Sequence, residues 1–149
     1  MIMMTALLLC SCGHVDDSLS TDSPVGQETG TVLQDGTVLY GQGILSENAV
    51  VELKDENENV LLENRHITKV FAKYSDMNDY FIELELTEEG RVLFEIATTD
   101  NIGKVIDIVV DGKVISSPTV QDTITNCYVV VSNFENYDEL MKLFKTLTQ

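Results

Sequence analysis

Hydrophobic and polar positions alternate most regularly near the middle of the chain. Residues 82–86 read Ile-Glu-Leu-Glu-Leu, and this period of two is typical of a strand with one buried face and one solvated face. The run closes the second of two apolar segments, Ile67–Tyr74 and Tyr80–Leu86, which are joined by a polar stretch over residues 75–79. We therefore predict a β-hairpin here.

Two shorter hairpins are predicted before this one. Residues 31–33 and 37–39 both read Thr-Val-Leu, on either side of Gln-Asp-Gly, which indicates a small turn between two strands. Farther along, the apolar segments 50–53 and 60–62 flank a polar stretch. We predict a second short hairpin at that point.

The pattern changes to helical spacing after Leu86. Thr87 is a good N-cap residue, and Glu88 and Glu89 follow in the first turn, where carboxylates suit the positive end of the helix dipole. We expect the helix to end near residues 100–101. Helical spacing places five apolar side chains on or beside its buried face: Val92, Leu93, Phe94, Ile96 and Ala97.

The last third of the chain contains the strongest turn signal. Residues 105–110 form a nearly continuous β-branched run, which predicts a central strand, and Asp111-Gly112 follows it. Both positions of a two-residue hairpin turn favour positive φ, which Asp and Gly tolerate. Residues 113–116 form the returning strand, and Pro118 ends the ladder because it has no backbone N–H.

One more strand and one more helix complete the pattern. Residues 127–131 read Cys-Tyr-Val-Val-Val, which predicts an interior strand. Residues 136–139 resemble a capping box with Asn in place of Ser or Thr, and the apolar positions from Leu140 to Leu147 then have helical spacing. The predicted fold class is α+β, a mixed β-sheet with two amphipathic helices packed on one face.

Composition narrows the classes of function. The 149 residues include 25 Asp and Glu against 9 Lys and Arg, so the formal net charge is -16. Binding to a nucleic-acid backbone needs clustered Lys and Arg, and so does charge-driven docking on anionic lipid. We therefore expect no nucleic-acid partner.

The N-terminus has the pattern of an export signal. Residues 2–9 are almost wholly apolar, and a run this much shorter than the ~20 residues of a spanning helix suits the apolar region of a signal peptide. The sequence Leu9-Cys10-Ser11-Cys12-Gly13 resembles the bacterial lipoprotein signal, and Cys12 fits better than Cys10 because a small residue precedes it. The chain departs from that signal in having no basic residue before Lys54.

The lipoprotein resemblance implies a division of the chain. Residues 1–11 would be removed as a signal peptide, and Cys12 would be acylated, with palmitate among its acyl groups. Residues 12–40 would then form a flexible acidic stalk, and residues 41–149 the folded domain. The protein would be anchored in the membrane at the extracytoplasmic face of the bacterial cell envelope.

Several motifs in the folded part resemble one protein family. Residues 84–91 (Leu-Glu-Leu-Thr-Glu-Glu-Gly-Arg), 101–104 (Asn-Ile-Gly-Lys) and 108–118 (Ile-Val-Val-Asp-Gly-Lys-Val-Ile-Ser-Ser-Pro) occur in the order found in SecD, the accessory membrane protein of the bacterial Sec translocase. The likeness covers about residues 50–149 and is to the head subdomain of SecD's first extracytoplasmic domain. It departs from the family at Thr125-Asn126, where the family has a Gly pair. It implies the head fold and contact with translocating chains.

The residues offer little for catalysis. Cys127 lies inside an apolar strand pattern, where a lone Cys usually packs as a small hydrophobe. Asp55-x-Asn57-x-Asn59 begins like a calcium loop, but its sixth and twelfth positions are Val60 and His66 instead of Gly and Glu. We place His66 on a strand edge. We predict a non-enzyme with no catalytic residues, no cofactor and no metal site.

The leading hypothesis is a lipid-anchored binding module that contacts translocating or secreted polypeptides, or components of the Sec machinery, through its sheet edges and the last hairpin. The alternative is a stand-alone surface lipoprotein that binds another envelope or host ligand and has no role in export. An enzyme is a third class and would need a clustered polar constellation. The candidate partner-contact residues lie on the hairpin: Asp111, Gly112, Lys113, Ser116, Ser117 and Pro118.

Overall fold

The structure, a computed structural model, describes residues 29–149. Within them the chain forms strands, two helices and a short 3-10 turn. The strands are β1 Thr31–Val32, β2 Val38–Ile44, β3 Val51–Lys54, β4 Val60–Glu63, β5 Ile67–Tyr74, β6 Tyr80–Leu86, β7 Asp107–Val110, β8 Lys113–Ser116 and β9 Tyr128–Phe134. The helices are α1 Glu88–Asp100 and α2 Tyr137–Thr148, and the 3-10 turn is Asn64–His66.

The strands divide between two sheets. One has the order β1-β2-β5-β6-β9, and the other has the order β4-β3-β7-β8. Every pairing of strands within residues 29–149 is antiparallel. The predicted α+β class with two helices is confirmed. Neither helix of this part of the chain is long and apolar enough to cross a membrane.

The three hairpins predicted in the first half of the chain are present. β1 pairs with β2, β3 pairs with β4, and β5 pairs with β6. In β6 the alternation is as predicted: Ile82, Leu84 and Leu86 are buried, whereas Glu83 and Glu85 lie on the opposite face. The period-two pattern therefore identified the side of the five-stranded sheet that faces the core.

The folded part begins earlier than the predicted boundary at residue 41. That boundary falls inside β2, because residues 31–32 and 38–44 are strands of the five-stranded sheet. β2 contains Gly41, where an added Cβ would lie 2.8 Å from the ring of Phe144 on α2. Gly41 and Gly43 interrupt the apolar pattern of β2 at the point where the predicted boundary falls. The predicted signal peptide and residues 12–28 of the predicted stalk lie outside the described residues.

Helix α1 begins and ends where the sequence predicts, and Phe94 and Ala97 are buried as predicted, but the rest of its buried face is different. Thr87 is the N-cap, and its Oγ1 accepts a hydrogen bond from the Gly90 N–H at 3.0 Å. The prediction that Val92 and Ile96 lie on or beside the buried stripe is wrong, since they are 42% and 52% exposed. The buried residues of α1 are Gly90, Phe94, Ala97 and Thr98.

Two contacts explain the rotation of α1. Gly90 packs against the 3-10 turn so closely that an added Cβ would lie 2.5 Å from the carbonyl oxygen of His66. At the other end, Thr98 Oγ1 donates to the Phe94 carbonyl at 2.8 Å and accepts from the Ile124 N–H at 3.0 Å. A glycine and a threonine thus occupy the buried face, because close approach and hydrogen bonding outweigh the hydrophobicity of Ile96.

The strand predicted over residues 127–131 is an edge strand and not an interior one. β9 pairs with β6 and with no other strand of the described residues. Val129 and Val131 are buried and Val130 is 48% exposed, which is alternation and not burial on both faces. The predicted central strand, in contrast, is confirmed, because β7 lies between β3 and β8.

Helix α2 covers the inner face of the five-stranded sheet, as its pattern predicts. Asn136 caps it by accepting the Glu139 N–H at 3.0 Å, and Glu139 in turn accepts the Glu135 N–H at 2.9 Å. Leu140, Phe144 and Leu147 are its buried residues. They join side chains of both sheets in one continuous core.

Candidate functional site

The β7–β8 hairpin has the turn that Asp111-Gly112 predicts. The φ angles are 50° at Asp111 and 77° at Gly112, as a two-residue hairpin turn requires. Asp111 is also tied to Val50: its N–H donates to the Val50 carbonyl at 2.8 Å, and its Oδ1 accepts the Val50 N–H at 2.8 Å. Its carboxylate therefore stabilises the hairpin against the chain that leads into β3.

The six candidate contact residues do not converge on one site. Ser116 pairs with Ile108, and Ser117 Oγ donates to Asp107 Oδ1 at 2.6 Å, so both are engaged within the hairpin. Pro118 lines a cleft on one side of the four-stranded sheet, whereas Asp111 and Lys113 line a second cleft beside α2. The hairpin and the residue that follows it thus contribute to two separate concave surfaces.

The first of these, which we call the β9 cleft, is apolar. It has a volume of about 390 Å³ and lies between α1, β7, the edge of β9 and the loop over residues 118–126. Thr98, Asn126 and Tyr128 add polar atoms at its wall. Its apolar lining includes Phe94, Ile106, Ile108, Pro118, Ile124 and Val129.

The rim of the β9 cleft contains a neutral phenol and a strand edge with which no other strand of residues 29–149 pairs. Tyr128, Val129 and Val130 line the cleft along the edge of β9. Burial raises the pKa of the Tyr128 phenol, and the neighbouring Cys127 thiol and Glu85 carboxylate raise it further. Tyr128 therefore stays protonated at physiological pH and remains a hydrogen-bond donor beside the edge.

The second concave surface, which we call the α2 cleft, lies between β8 and α2. Its volume is about 500 Å³. Val114, Ile115, Phe134 and Leu143 supply its apolar part, and Lys113 and Lys142 are among its charged residues. It is separate from the β9 cleft, because no residue lines both.

Other residues considered for chemistry have structural roles. Asp55 closes the β3–β4 turn, where its Oδ1 accepts the N–H groups of Asn57 and Asn59 at 2.8 and 2.9 Å. His66 does not lie on a strand edge as predicted: it ends the 3-10 turn, is buried, and its Nδ1 accepts the Glu63 N–H at 3.0 Å. Cys127 is half-buried and forms no disulfide with residues 29–149.

The sequence reasoning missed the β9 cleft, because its lining comes from distant segments. The sequence pattern predicts Ile106 and Ile108 as core residues of a strand and Phe94 as a core residue of a helix. A signal was available in the loop after Pro118, where the apolar Val120 and Ile124 stand among polar residues. In the described residues, no three His, Cys, Asp or Glu side chains are placed to hold a metal ion.

The chain is similar to proteins of the Sec export system. SecD of Dictyoglomus turgidum, a protein translocase subunit, is 31% identical over 100 residues, which are 67% of this chain and 25% of that protein. SecDF of Thermus thermophilus is 34% identical over 62 residues, which are 42% of this chain and 8% of that protein. The chain thus spans a quarter or less of the length of these relatives.

Solved SecDF structures share the fold. One, described as a membrane component that enhances protein export, has a TM-score of 0.57 at 21% identity, over 71% of this chain and 64% of that chain. A crystal structure of SecDF in a super-membrane-facing form has a TM-score of 0.54 at 21% identity, over 72% of this chain and 18% of that chain. At this identity the comparison speaks for the fold alone.

The family is shown by a match to most of the chain. The family model described as SecDF, P1 head subdomain, matches residues 37–148. It includes the whole stretch in which the motifs after residue 84 occur in order, together with β2, whose first three residues fall in the predicted stalk. The chain belongs to the SecDF P1 head subdomain family.

Proposed function

We propose that this protein is an extracytoplasmic binding module of the SecD head type, which a lipid on Cys12 anchors in the membrane and which binds extended segments of translocating or secreted polypeptides. The observation that supports it best is the apolar β9 cleft, which lies directly beside a strand edge without a second partner in the described part of the chain.

The β9 cleft suits a partner of variable sequence. An extended chain that adds to a sheet edge gains main-chain hydrogen bonds whatever its side chains are. Alternate side chains of such a strand point to one face, with a rise of about 3.3 Å per residue, so some would enter the apolar wall formed by Ile106, Ile124 and Val129. This combination gives affinity for unfolded apolar segments without demanding one sequence.

The family supports a role near the Sec machinery. The relatives are protein translocase subunits, and the head-type fold is the part that this chain shares with them. We place Sec translocase components beside exported polypeptides as candidate partners. The sequence around Cys12 supports anchoring at the extracytoplasmic face of the envelope.

An exposed edge residue gives a test of the polypeptide site. Val130→Lys places a charge on the edge of β9, a substitution that discourages strand pairing. We expect the full chain with this substitution to bind a fluorescent, unfolded apolar peptide at least about tenfold more weakly in an anisotropy titration, a loss of about 1.4 kcal/mol. Ile96→Lys, at an equally exposed apolar position on α1, is the matched control.

The two variants separate a specific site from general stickiness. Val130→Lys and Ile96→Lys make the same change of charge, and neither residue belongs to the buried core. The polypeptide site would be overturned if both variants weakened peptide binding equally. It would also be overturned if Val130→Lys left peptide binding unchanged while both variants kept the unfolding temperature of the native chain.

Two neighbouring cysteines give a test of the anchor. Cys12→Ala should abolish incorporation of an alkyne-labelled palmitate and release the protein from the membrane fraction, whereas Cys10→Ala should leave both unchanged. Label that persists in Cys12→Ala would contradict the lipid site.

The partner class is tested in intact cells. A photo-cross-linker at residue 121, at the rim of the β9 cleft, should capture secreted polypeptides or translocase subunits. Recovery of a host or envelope ligand in their place would favour the stand-alone surface lipoprotein and refute the role in export.

A further inference from the structure

The α2 cleft has the features of a docking groove that the proposed function does not use. Val114 is 49% exposed on β8, and Ile115, Phe134 and Leu143 extend the apolar surface beside it. Its volume of about 500 Å³ is within the range of about 300–1,000 Å³ typical of binding pockets.

The charges around the α2 cleft are unusual for this protein. All 9 basic residues of the chain lie in its described part. Lys113 and Lys142 line the groove and form no ion pair with any of residues 29–149, and neither do Lys104 and Lys145. The five basic residues in ion pairs are Lys54, Arg65, Lys69, Lys73 and Arg91.

The lining also contains two carboxylates, and neither of them forms an ion pair with these lysines. Asp111 Oδ1 accepts the Val50 N–H at 2.8 Å, and Glu139 Oε2 accepts the Glu135 N–H at 2.9 Å. Such backbone donors compensate part of the carboxylate charge and fix its direction. Lys113 and Lys142 are thus two ammonium groups with no ion-pair partner among the described residues, beside the apolar part of the groove.

The remaining lysines have different surroundings. Lys145 lies in the last turn of α2, where a positive charge suits the helix dipole. Lys104 lies outside the helices and strands and lines neither cleft. Of the four lysines without an ion pair in the described residues, only Lys113 and Lys142 line a cleft.

One side of the α2 cleft is a strand edge. β8 spans Lys113–Ser116 and, in this part of the structure, pairs with β7 and no other strand. An added strand would run beside Val114 and Ile115 and bring its side chains over the groove. The edge favours an extended occupant, and the lysines favour one with carboxylates.

We propose that the α2 cleft is a second docking site, which binds an extended segment of another protein in which apolar residues are flanked by Asp or Glu. The occupant follows from charge complementarity: apolar side chains lie over Val114 and Leu143, and carboxylates reach Lys113 and Lys142. The proposal is independent of polypeptide binding at the β9 cleft, because the two clefts share no lining residue.

An anionic membrane surface is the competing ligand with the same charge. It fits less well, because the cleft is concave and recessed between β8 and α2 and the chain has a net charge of -16. An anionic membrane would repel most of the surface of this acidic protein, and only the two lysines would attract it.

The test uses the full chain and two short fluorescent peptides. In one, Val and Leu alternate with Asp and Glu; in the other, Lys replaces each Asp and Glu. We expect the acidic peptide to bind and the basic one not to bind in an anisotropy titration. Lys113→Glu and Lys142→Glu should each weaken binding by about five- to tenfold, and by less as salt is raised.

Matched variants make the result decisive. Lys104→Glu makes the same change of charge away from the groove, and Val130→Lys alters only the β9 cleft, so neither should change the affinity for the acidic peptide. The proposal is overturned if Lys104→Glu weakens binding as much as Lys113→Glu, if the basic peptide binds equally well, or if vesicles of anionic lipid bind through Lys113 and Lys142 and the acidic peptide does not.

Discussion

At the scale of single residues, Gly90 shows how a local exception marks a tertiary contact. A glycine inside a helix costs about 1 kcal/mol relative to alanine, so a glycine in the first turn of α1 indicates close packing at that point. The structure confirms this, because an added Cβ would lie 2.5 Å from the His66 carbonyl oxygen and 2.9 Å from its Cβ. The backbone of the 3-10 turn, not a flexible side chain, sets the limit.

Gly90→Ala should therefore destabilise the protein although alanine is the better helix former. We expect a loss of about 1–3 kcal/mol in the free energy of unfolding, as for overpacked sites, measured by urea denaturation followed by circular dichroism. Equal or greater stability of the variant would show that α1 does not approach His66 this closely.

Asp55 is a residue whose role depends on pH. Its Oδ2 accepts the Asn59 side-chain amide at 2.9 Å, and Oδ1 accepts two backbone N–H groups. The Asn59 side chain and then its backbone N–H hold the pKa of the Asp55 carboxyl below its ordinary value of 3.8. Because the folded-state pKa is the lower one, the stabilisation is present at neutral pH and is lost as pH falls through that pKa.

The stability difference between the native chain and Asp55→Ala should accordingly be larger at pH 7 than at the acid end of the folded range. Urea denaturation at a series of pH values between neutral and below 3.8 measures it. Asp55→Asn, which retains an acceptor oxygen but cannot titrate, is the control and should show no such trend relative to Asp55→Ala. A difference that grows on acidification would contradict the role of the ionised carboxylate.

At the scale of elements, helix α1 separates what hydrophobic spacing predicts from what packing selects. Its limits were predictable, because the Thr87 cap and the acidic first turn are local signals. Its orientation was not, because Gly90 and Thr98 occupy the buried face through contacts with the 3-10 turn and with Ile124. The 3-10 turn and Ile124 are distant from these residues in the sequence, and hydrophobic spacing does not predict contacts made by a glycine or a threonine.

The rotation of α1 has a direct consequence for mutants. Phe94→Ala should lower the free energy of unfolding by about 3–5 kcal/mol, because the ring is buried. Ile96→Ala should change it by no more than about 0.5 kcal/mol, because the side chain faces solvent. Thermal and urea unfolding of the two variants measure this contrast. A larger loss of stability in Ile96→Ala than in Phe94→Ala would show that the buried face of α1 is the one predicted from hydrophobic spacing.

The edge position of β9, like the orientation of α1, depends on segments that are distant in the sequence. A run of β-branched residues indicates a strand, but the strands that pair with it come from other parts of the chain. β9 is followed directly by Glu135, the Asn136 cap and α2, and α2 occupies the inner face of the sheet. No further strand of the described residues follows to cover the edge, and the β9 cleft forms beside it.

At the scale of the whole molecule, the two sheets and two helices enclose one core and leave two separate clefts, each lined in part by residues of the β7–β8 hairpin. The predicted contact residues lie on that hairpin. The structure gives Asp111 and Ser117 internal hydrogen-bond partners, and it places Pro118 and Lys113 at different clefts. The hairpin predicted from sequence therefore contributes residues to both clefts, and its contact with a partner stays a prediction.

The sequence by itself determined the local features of this protein. Hairpin turns, helix caps and the alternation in β6 follow from residues that are close together in the sequence. Their conformational propensities and hydrogen bonds need no distant partner. The ordered motifs after residue 84 also identified the family. The tertiary structure alone decided which face of α1 is buried, that β9 is an edge, and that Ile106, Ile124 and Val129 line one cleft while Lys113 and Lys142 meet at another. These depend on contacts between segments far apart in the chain, for which burial, backbone approach and charge are properties of the assembled fold.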